Sequence, residues 1–237
     1  MINPGPNLAL LIPGLGEDRA CYTETISYLR TMGYQTHFIN LIDLAPHRTF
    51  GNHHPLTTMA HQICKSAVRR GLKFGFCLAF SIGASIAMQL DKKVFQHDAV
   101  QLLIDPIVTA STNRLASIKS ANLALRKDCN SGYPLEWEGW SEEDRKAKRS
   151  SLRSWHKRSF TSMLHPRFAI DLDYQTYFQN PRNFMLIPSS SNLSGVDWSK
   201  EESTPNLFKL NGGHEIQRED PAAILRSISD VLQARLS

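Results

Sequence analysis

Apolar and polar positions change their spacing in a regular way along the N-terminal part of the chain. Short apolar runs bounded by Gly, Pro or polar residues predict buried strands, and apolar side chains three and four positions apart predict amphipathic helices. The predicted strands are 7–13, 37–43, 74–80 and 99–105. The predicted helices between them are 22–32, 56–70 and 81–90. This alternation predicts an α/β fold, in which a mostly parallel central sheet carries helices on both faces.

The pattern changes after Asp105, where a long polar and partly helical region interrupts the alternation. Strand-like runs return at 184–188 and 206–210, and a terminal helix is predicted at 221–236. We therefore expect one domain with a helical insert. The predicted core is 1–106 and 183–237, and the predicted insert is 107–182.

The net charge is concentrated in this insert. The 237-residue chain carries a net charge of +5. Residues 112–165 contain eleven Lys and Arg against six Asp and Glu, and this excess equals the net charge of the whole chain. Such a concentration is typical of a protein with an anionic partner. No helix-turn-helix, RNA-recognition or zinc-finger pattern accompanies the charge, so a nucleic-acid partner is not expected.

The first residues and the apolar runs predict neither a cleaved signal peptide nor a membrane span. Its first residues, MINPGPN, lack the basic segment of a signal peptide. Every apolar run is shorter than the roughly 18 to 20 residues that a membrane span needs. We expect a cytoplasmic protein without a membrane span.

The sharpest local feature is the segment CLAFSIGASIA, where Ser81 lies at the junction of a predicted strand and a predicted helix. Ala79 comes two positions before it and Gly83 two positions after it, which is the nucleophile-elbow pattern with alanine in place of the first glycine. Small neighbours permit the sharp turn that exposes a serine hydroxyl at the C-terminal edge of a sheet. A structural interpretation also exists, because serine often caps helices.

Two further segments favour a catalytic role for this serine. In LALLIPGLGEDR, the turn after the first strand offers the N–H of Leu15 as a donor that joins the N–H of Ile82 at an oxyanion hole. In LFKLNGGHEI, His214 follows the last predicted strand. A histidine after two glycines is often only a surface turn residue. The order of the three segments along the chain instead favours a catalytic role for His214.

On the motifs PGLG, AFSIG and GGHEI, the chain resembles the α/β-hydrolase family, from Leu8 to the C-terminus apart from the insert. The resemblance implies a sheet that lacks the family's leading β-hairpin, with a cap at the place of the insert. It also implies that Ser81 is the nucleophile and that His214 acts as general base and then as general acid.

The acid of the expected triad departs from the family pattern. The family places an Asp shortly after the strand that matches FMLIP, where this chain has PSSSN with Asn192 near the expected position. An asparagine cannot stabilise an imidazolium as a carboxylate does. Two substitutes remain open: Asp105, at the end of the preceding strand, which we favour, and Asp197, a few residues beyond Asn192. Asp105 also has a structural interpretation, because many relatives carry Asp-Pro at that strand end.

The cap contains three tryptophans, Trp137, Trp140 and Trp155, which we predict to bind substrate as walls of an acyl pocket. Its Lys and Arg residues are expected to face outward and to dock an acidic acyl-carrier protein or CoA. In the alternative interpretation the charges form a solvated helix face and the tryptophans are core residues.

These features together predict a serine hydrolase that cleaves an ester or thioester of an acyl chain through an acyl-enzyme, a carboxylesterase or thioesterase. Its substrate would be a small-molecule acyl ester or thioester. We expect no cofactor and no metal, because no phosphate-binding loop, dinucleotide fingerprint or metal-ligand spacing is present. Two alternatives remain: a non-hydrolytic relative that only binds, and a lyase or transferase on the same scaffold.

Overall fold

A six-stranded parallel sheet lies at the centre of the protein in this computed structural model. The structure describes residues 7–44, 53–127, 140–155, 163–165, 168–190, 194–198 and 206–233. Its strands are β1 (Asn7–Ile12), β2 (Tyr34–Phe38), β3 (Phe74–Phe80), β4 (Phe95–Ile104), β5 (Thr109–Ala110), β6 (Ile170–Asp171), β7 (Asn183–Pro188) and β8 (Leu207–Leu210). The large sheet has the order β2-β1-β3-β4-β7-β8, and β5 pairs with β6 in an antiparallel ribbon. The predicted parallel sheet is confirmed.

Helices cover both faces of this sheet, as predicted. They are α1 (Thr23–Thr31), α2 (Leu41–Leu44), α3 (Pro55–Arg69), α4 (Ile82–Ala87), α5 (Thr112–Lys127), α6 (Glu142–Ser154), α7 (Tyr174–Phe178), α8 (Ile216–Glu219) and α9 (Pro221–Gln233). Successive side chains of β3 point to opposite faces. Phe76 and Leu78 pack in the layer that contains α1 and α9, whereas Cys77 and Ala79 pack in the layer that contains α3 and α4. Burial on both faces explains why this strand reads as one continuous apolar run.

The second strand lies earlier in the chain than its apolar pattern predicts. The predicted strand was 37–43, but β2 ends at Phe38, and Leu41 and Ile42 belong to the short helix α2. Backbone pairing with β1 sets this boundary: Phe38 is the last residue in register, opposite Leu11. Leu41 is fully buried from the helix instead.

The segment between β4 and β7 contains the β5–β6 ribbon and the helices α5 and α6. Ser141 caps α6 by accepting the N–H of Asp144 at 3.0 Å, and acidic residues fill the first turn, as suits a helix N-terminus. The helix lies against the loop that follows β1, since a Cβ added to Gly16 would be 2.3 Å from Leu152 Cδ2. The division into a core and a 107–182 cap stays a prediction. In the part of the chain that the structure describes, no helix is long and apolar enough to span a membrane.

Candidate active site

The carboxyl ends of β1, β3, β4 and β8 bring the predicted site residues to one edge of the sheet. Because these strands run parallel, the loops that follow them emerge on the same side. Ser81 directly follows β3 and Asp105 directly follows β4, while His214 lies between β8 and α8. The loop with Leu15 follows β1. The topology therefore gathers these side chains from distant parts of the sequence.

Ser81 lies on a sharp turn with an unusual backbone conformation. Its φ of 51° and ψ of −123° lie outside the regions that side chains normally adopt, at a cost of about 1 to 3 kcal/mol. The Ser81 N–H donates to the carbonyl of Ile104 at 2.8 Å, so the turn is tied to β4. Among the described residues, Ser81 and Asp105 are the two non-glycine positions with positive φ. Both of these strained positions of the described chain are predicted catalytic residues.

The neighbours of Ser81 are small because the chain is crowded there. A Cβ on Gly83 would lie 2.2 Å from the carbonyl oxygen of Pro13. A Cβ on Gly14 would lie 3.6 Å from Cβ of Ser81 and 2.7 Å from Oε2 of Glu17. The loop after β1 therefore passes directly beside the serine, which is the place an oxyanion loop must occupy.

His214 is paired with a buried carboxylate. Its Nδ1 lies 2.6 Å from Oδ2 of Asp105, whose side chain is 1% exposed, while the imidazole is 27% exposed. Burial lowers the pKa of His214, but the hydrogen bond and charge of Asp105, with the charge of Glu215, outweigh it, so the pKa is raised above its usual 6.5. Asp105 therefore fixes one ring nitrogen and favours protonation of the other.

Local hydrogen bonds hold Asp105 and His214 in place. Ser85 in α4 donates from Oγ to the carbonyl of Ile107 at 2.8 Å and accepts its N–H at 2.9 Å, which fixes the turn after Asp105. Before His214, the N–H of Gly213 donates to Oε2 of Glu219 at 2.6 Å. One position earlier, Gly212 has a φ of 142°, a backbone conformation that favours glycine.

Solved structures share this arrangement of strands. No family model and no curated protein matches the chain. A carboxylesterase from the ammonia-oxidizing thaumarchaeon Nitrososphaera gargenis is similar with a TM-score of 0.74 and 13% identity, over 98% of this chain and 92% of that one. A hydrolase from Pseudomonas aeruginosa PA01 has a TM-score of 0.71 and 11% identity, over 96% and 90% of the two chains. A thermophilic esterase from Thermogutta terrifontis has a TM-score of 0.67 and 13% identity, over 98% and 91%.

The chain has the α/β-hydrolase fold. The fold expected from the motifs PGLG, AFSIG and GGHEI is confirmed at this level. Identities of 11% to 13% describe shared architecture and leave the chemistry to be argued from the site itself.

The other candidate acid of this α/β-hydrolase fold is Asp197. Asp197 is exposed, on the short described segment 194–198, whereas the carboxylate within hydrogen-bond distance of His214 belongs to Asp105. Asn192, at the usual family position, lies outside the described residues.

The predicted pocket tryptophans are buried where the structure describes them. Trp140 is 3% exposed and Trp155 is fully buried, and both belong to the core layer that includes Leu15 and Leu152. Trp137 lies outside the described residues. Their role as pocket walls stays a prediction. Within the described ranges, no group of three His, Cys, Asp or Glu residues is placed to hold a metal ion.

A group of buried charges beside the site has no counterpart in the sequence analysis. The expectation that the cap's basic residues face outward is wrong for Lys148, which is 4% exposed and contacts Glu17 and Glu215. Arg218 is also buried against Glu17. Three of these residues stand in the segments GEDR and GGHEIQRED that flank the predicted motifs. Their closeness in sequence to these motifs is the one signal that could have identified them, because a charged residue taken alone ordinarily indicates an exposed position.

Proposed function

We propose that this protein is a serine hydrolase that cleaves an ester or thioester of an acyl chain. One observation carries the proposal: the buried carboxylate of Asp105 lies 2.6 Å from Nδ1 of His214, at the edge of the sheet where Ser81 emerges on a strained turn. A carboxylate that orients an imidazole for proton transfer from a serine is the arrangement that activates a hydroxyl for acyl transfer.

In the proposed reaction, Oγ of Ser81 bonds to the substrate carbonyl carbon while Nε2 of His214 takes the hydroxyl proton. The N–H groups of Leu15 and Ile82 hold the oxyanion of the tetrahedral intermediate. The C–O or C–S bond then breaks, and the imidazolium returns the proton to the departing alcohol or thiol. Water, deprotonated by His214, releases the carboxylic acid from the acyl-enzyme and restores Ser81.

Asp105 acts throughout on the imidazole. Its hydrogen bond to Nδ1 presents Nε2 for proton transfer, and its negative charge stabilises the imidazolium that forms when Ser81 attacks. The raised pKa of His214 has this same cause, since the carboxylate outweighs the effect of burial. A base with a pKa near the working pH transfers protons efficiently in both directions.

The fold neighbours support this reaction class, because a carboxylesterase and an esterase share the architecture over most of both chains. We propose a small-molecule ester or thioester as substrate. The choice between an esterase and a thioesterase depends on the leaving group.

Labelling by a fluorophosphonate probe tests the proposal. The wild-type protein should react quickly and exclusively at Ser81, because only an activated serine attacks phosphorus at a useful rate. Peptide mapping by mass spectrometry identifies the labelled residue. The matched control is Ser66→Ala, which removes the same oxygen atom from an exposed serine of α3 and should retain the label on Ser81.

An unlabelled wild-type protein would favour the non-hydrolytic binding protein. A protein that is labelled at Ser81 but hydrolyses no ester or thioester would favour one of the other enzyme classes. Transfer of the acyl group to an acceptor other than water would indicate a transferase, and cleavage of a carbon–carbon bond would indicate a lyase.

We further propose that the acyl chain arrives on an acidic acyl-carrier protein or on CoA. Lys146, Arg149 and Arg153 lie three and four positions apart on α6 and so share one helix face, and Lys146 and Arg153 are exposed. Lys148 belongs to the buried group and takes no part in this surface. The helix that carries these cations also packs on the loop beside Ser81, so a bound carrier would lie close to the site.

Reversing two charges on this face should selectively weaken the binding of carrier-linked substrates. In the double variant Lys146→Glu, Arg153→Glu, KM for an acyl-carrier or acyl-CoA substrate should rise about tenfold at low salt. The wild-type KM for these substrates should rise with salt, because exposed charges are screened over roughly 8 to 10 Å at physiological ionic strength. Hydrolysis of a neutral p-nitrophenyl ester should stay nearly unchanged.

The pair Lys92→Glu with Lys93→Glu is a matched control, because both residues precede β4 and so lie toward the opposite edge of the sheet. An equal rise of KM in the control, or an equal response of both substrates, would refute the carrier proposal.

A further inference from the structure

A buried cluster of charges connects α6 to both loops of the proposed catalytic site. It contains Glu17 from the loop after β1, Lys148 from α6, and Glu215 and Arg218 from the segment that follows His214. Their side chains are 1%, 5%, 18% and 1% exposed, in that order. Charged residues are buried in this way only when they are paired, so the cluster defines a closely specified geometry.

Glu17 fixes the peptide group between Pro13 and Gly14, which directly precedes the peptide that carries the Leu15 N–H. Its Oε2 accepts the N–H of Gly14 at 2.8 Å and also accepts a hydrogen bond from the hydroxyl of Tyr22. Burial raises the pKa of Glu17, but the charges of Lys148 and Arg218 outweigh it and hold the pKa far below the ordinary value of 4.5. The acceptor is therefore a full carboxylate at neutral pH, which makes the hydrogen bond from Gly14 a strong one.

Lys148 fixes the peptide group on the other side of Leu15. Its Nζ donates to the carbonyl of Leu15 at 3.3 Å, to Oε1 of Glu17 at 3.3 Å and to Oε1 of Glu215 at 3.0 Å. The last contact reaches the residue directly after His214. One ammonium group thus joins the loop that carries a proposed oxyanion donor to the loop that carries the proposed base.

We propose that Glu17 and Lys148 are positioning residues for the oxyanion loop, and that the docking of α6 completes the active site through Lys148. The Leu15 N–H belongs to the peptide group between Gly14 and Leu15, and the pair binds the peptide groups directly before and after it, through Gly14 N–H and Leu15 C=O. With both held, the Leu15 N–H has one orientation before substrate arrives, and such preorganisation is what makes an oxyanion donor effective. The inference rests on the proposed serine hydrolase function.

Lys148→Met removes the ammonium group and keeps a side chain of similar length. For a short neutral p-nitrophenyl ester, kcat should fall about 100-fold, with KM within about threefold of wild type, because the lost interaction acts on the transition state. Glu17→Gln should give a loss of the same kind. The double variant should be about as slow as the slower single variant, since the two residues act as one unit.

The double variant also removes one charge of each sign, so it keeps the buried charge balanced if Lys148→Met alone folds poorly. Circular dichroism and denaturant unfolding check the fold of every variant.

Two control variants separate positioning from general loosening. Asp144→Asn removes a partner that Arg218 contacts at 3.0 Å at the rim of the cluster, away from Leu15, and should lower stability while kcat stays within about twofold of wild type. Lys65→Met makes the same substitution on the exposed side of α3 and should change nothing.

If folded Lys148→Met and the double variant both keep kcat within about threefold of wild type, or if Asp144→Asn loses as much kcat as they do, the inference is wrong. The proposed function is judged separately, because it fails if wild-type hydrolysis does not depend on Ser81.

Discussion

Ser81→Ala and His214→Ala are each expected to remove nearly all hydrolysis of a short p-nitrophenyl ester while the protein stays folded. The serine supplies the nucleophile and the histidine takes its proton, so neither step has a substitute. Loss of such a residue normally costs on the order of 10⁴-fold or more in kcat. The imidazole of His214 is 27% exposed, so water can enter the space that its truncation leaves. Ser81→Ala removes a single oxygen atom and keeps the backbone turn.

Steady-state kinetics and fluorophosphonate labelling measure this prediction. Ser66→Ala serves again as the control, because it removes the same atom from an exposed serine of α3. An enzyme in which either alanine variant stays within about tenfold of wild type would require a different nucleophile or base.

Asp105→Asn is the second variant with a large expected effect, on the order of 10⁴-fold in kcat. Asparagine fills the same space but presents no negative charge to the imidazolium, and its amide group can impose the wrong tautomer on His214. Asp197→Asn should stay within about threefold of wild type, because Asp197 is exposed and the carboxylate beside His214 is that of Asp105. The reverse ranking would move the acid to Asp197, and two weak effects would indicate a Ser–His dyad.

The pH profile gives an independent measure of the same contact. Activity requires neutral His214, so kcat/KM falls as the pH drops through the pKa of this residue. Asp105 raises that pKa above 6.5 in the wild type, so the acid limb should lie above pH 6.5. In Asp105→Asn the effect of burial remains without the opposing carboxylate, and the acid limb of the residual activity should move to lower pH. An unshifted limb would show that Asp105 does not govern His214.

The sheet could be predicted because its strands are buried on both faces. Such strands appear as short continuous apolar runs, and β3 lies at 74–80 as its pattern predicts. The prediction failed at β2, an edge strand, where pairing with β1 rather than apolar content decides the boundary. Edge strands are partly exposed, and their composition constrains them less.

Ser81 and His214 could be located from the chain alone because their positions depend on local backbone chemistry. Ala79 and Gly83 permit a sharp turn, and Gly212, with a φ of 142°, permits the loop before the histidine, so the residue types themselves mark the turns. The partner of His214 could not be decided in this way. Asp105 lies 109 positions away, and only the pairing of β4 with its neighbours brings it within 2.6 Å of the imidazole.

The burial of the charged cluster could not be predicted from the sequence at all, because it depends on tertiary structure. From the sequence, Lys148 belongs to a basic run that indicates a solvated helix face, yet its ammonium group lies between Glu17 and Glu215. Local pattern determines secondary structure and turns, because these depend on neighbouring residues. Which charges are buried depends on long-range packing of α6 against two loops that are distant in sequence, and that packing exists only in the folded chain.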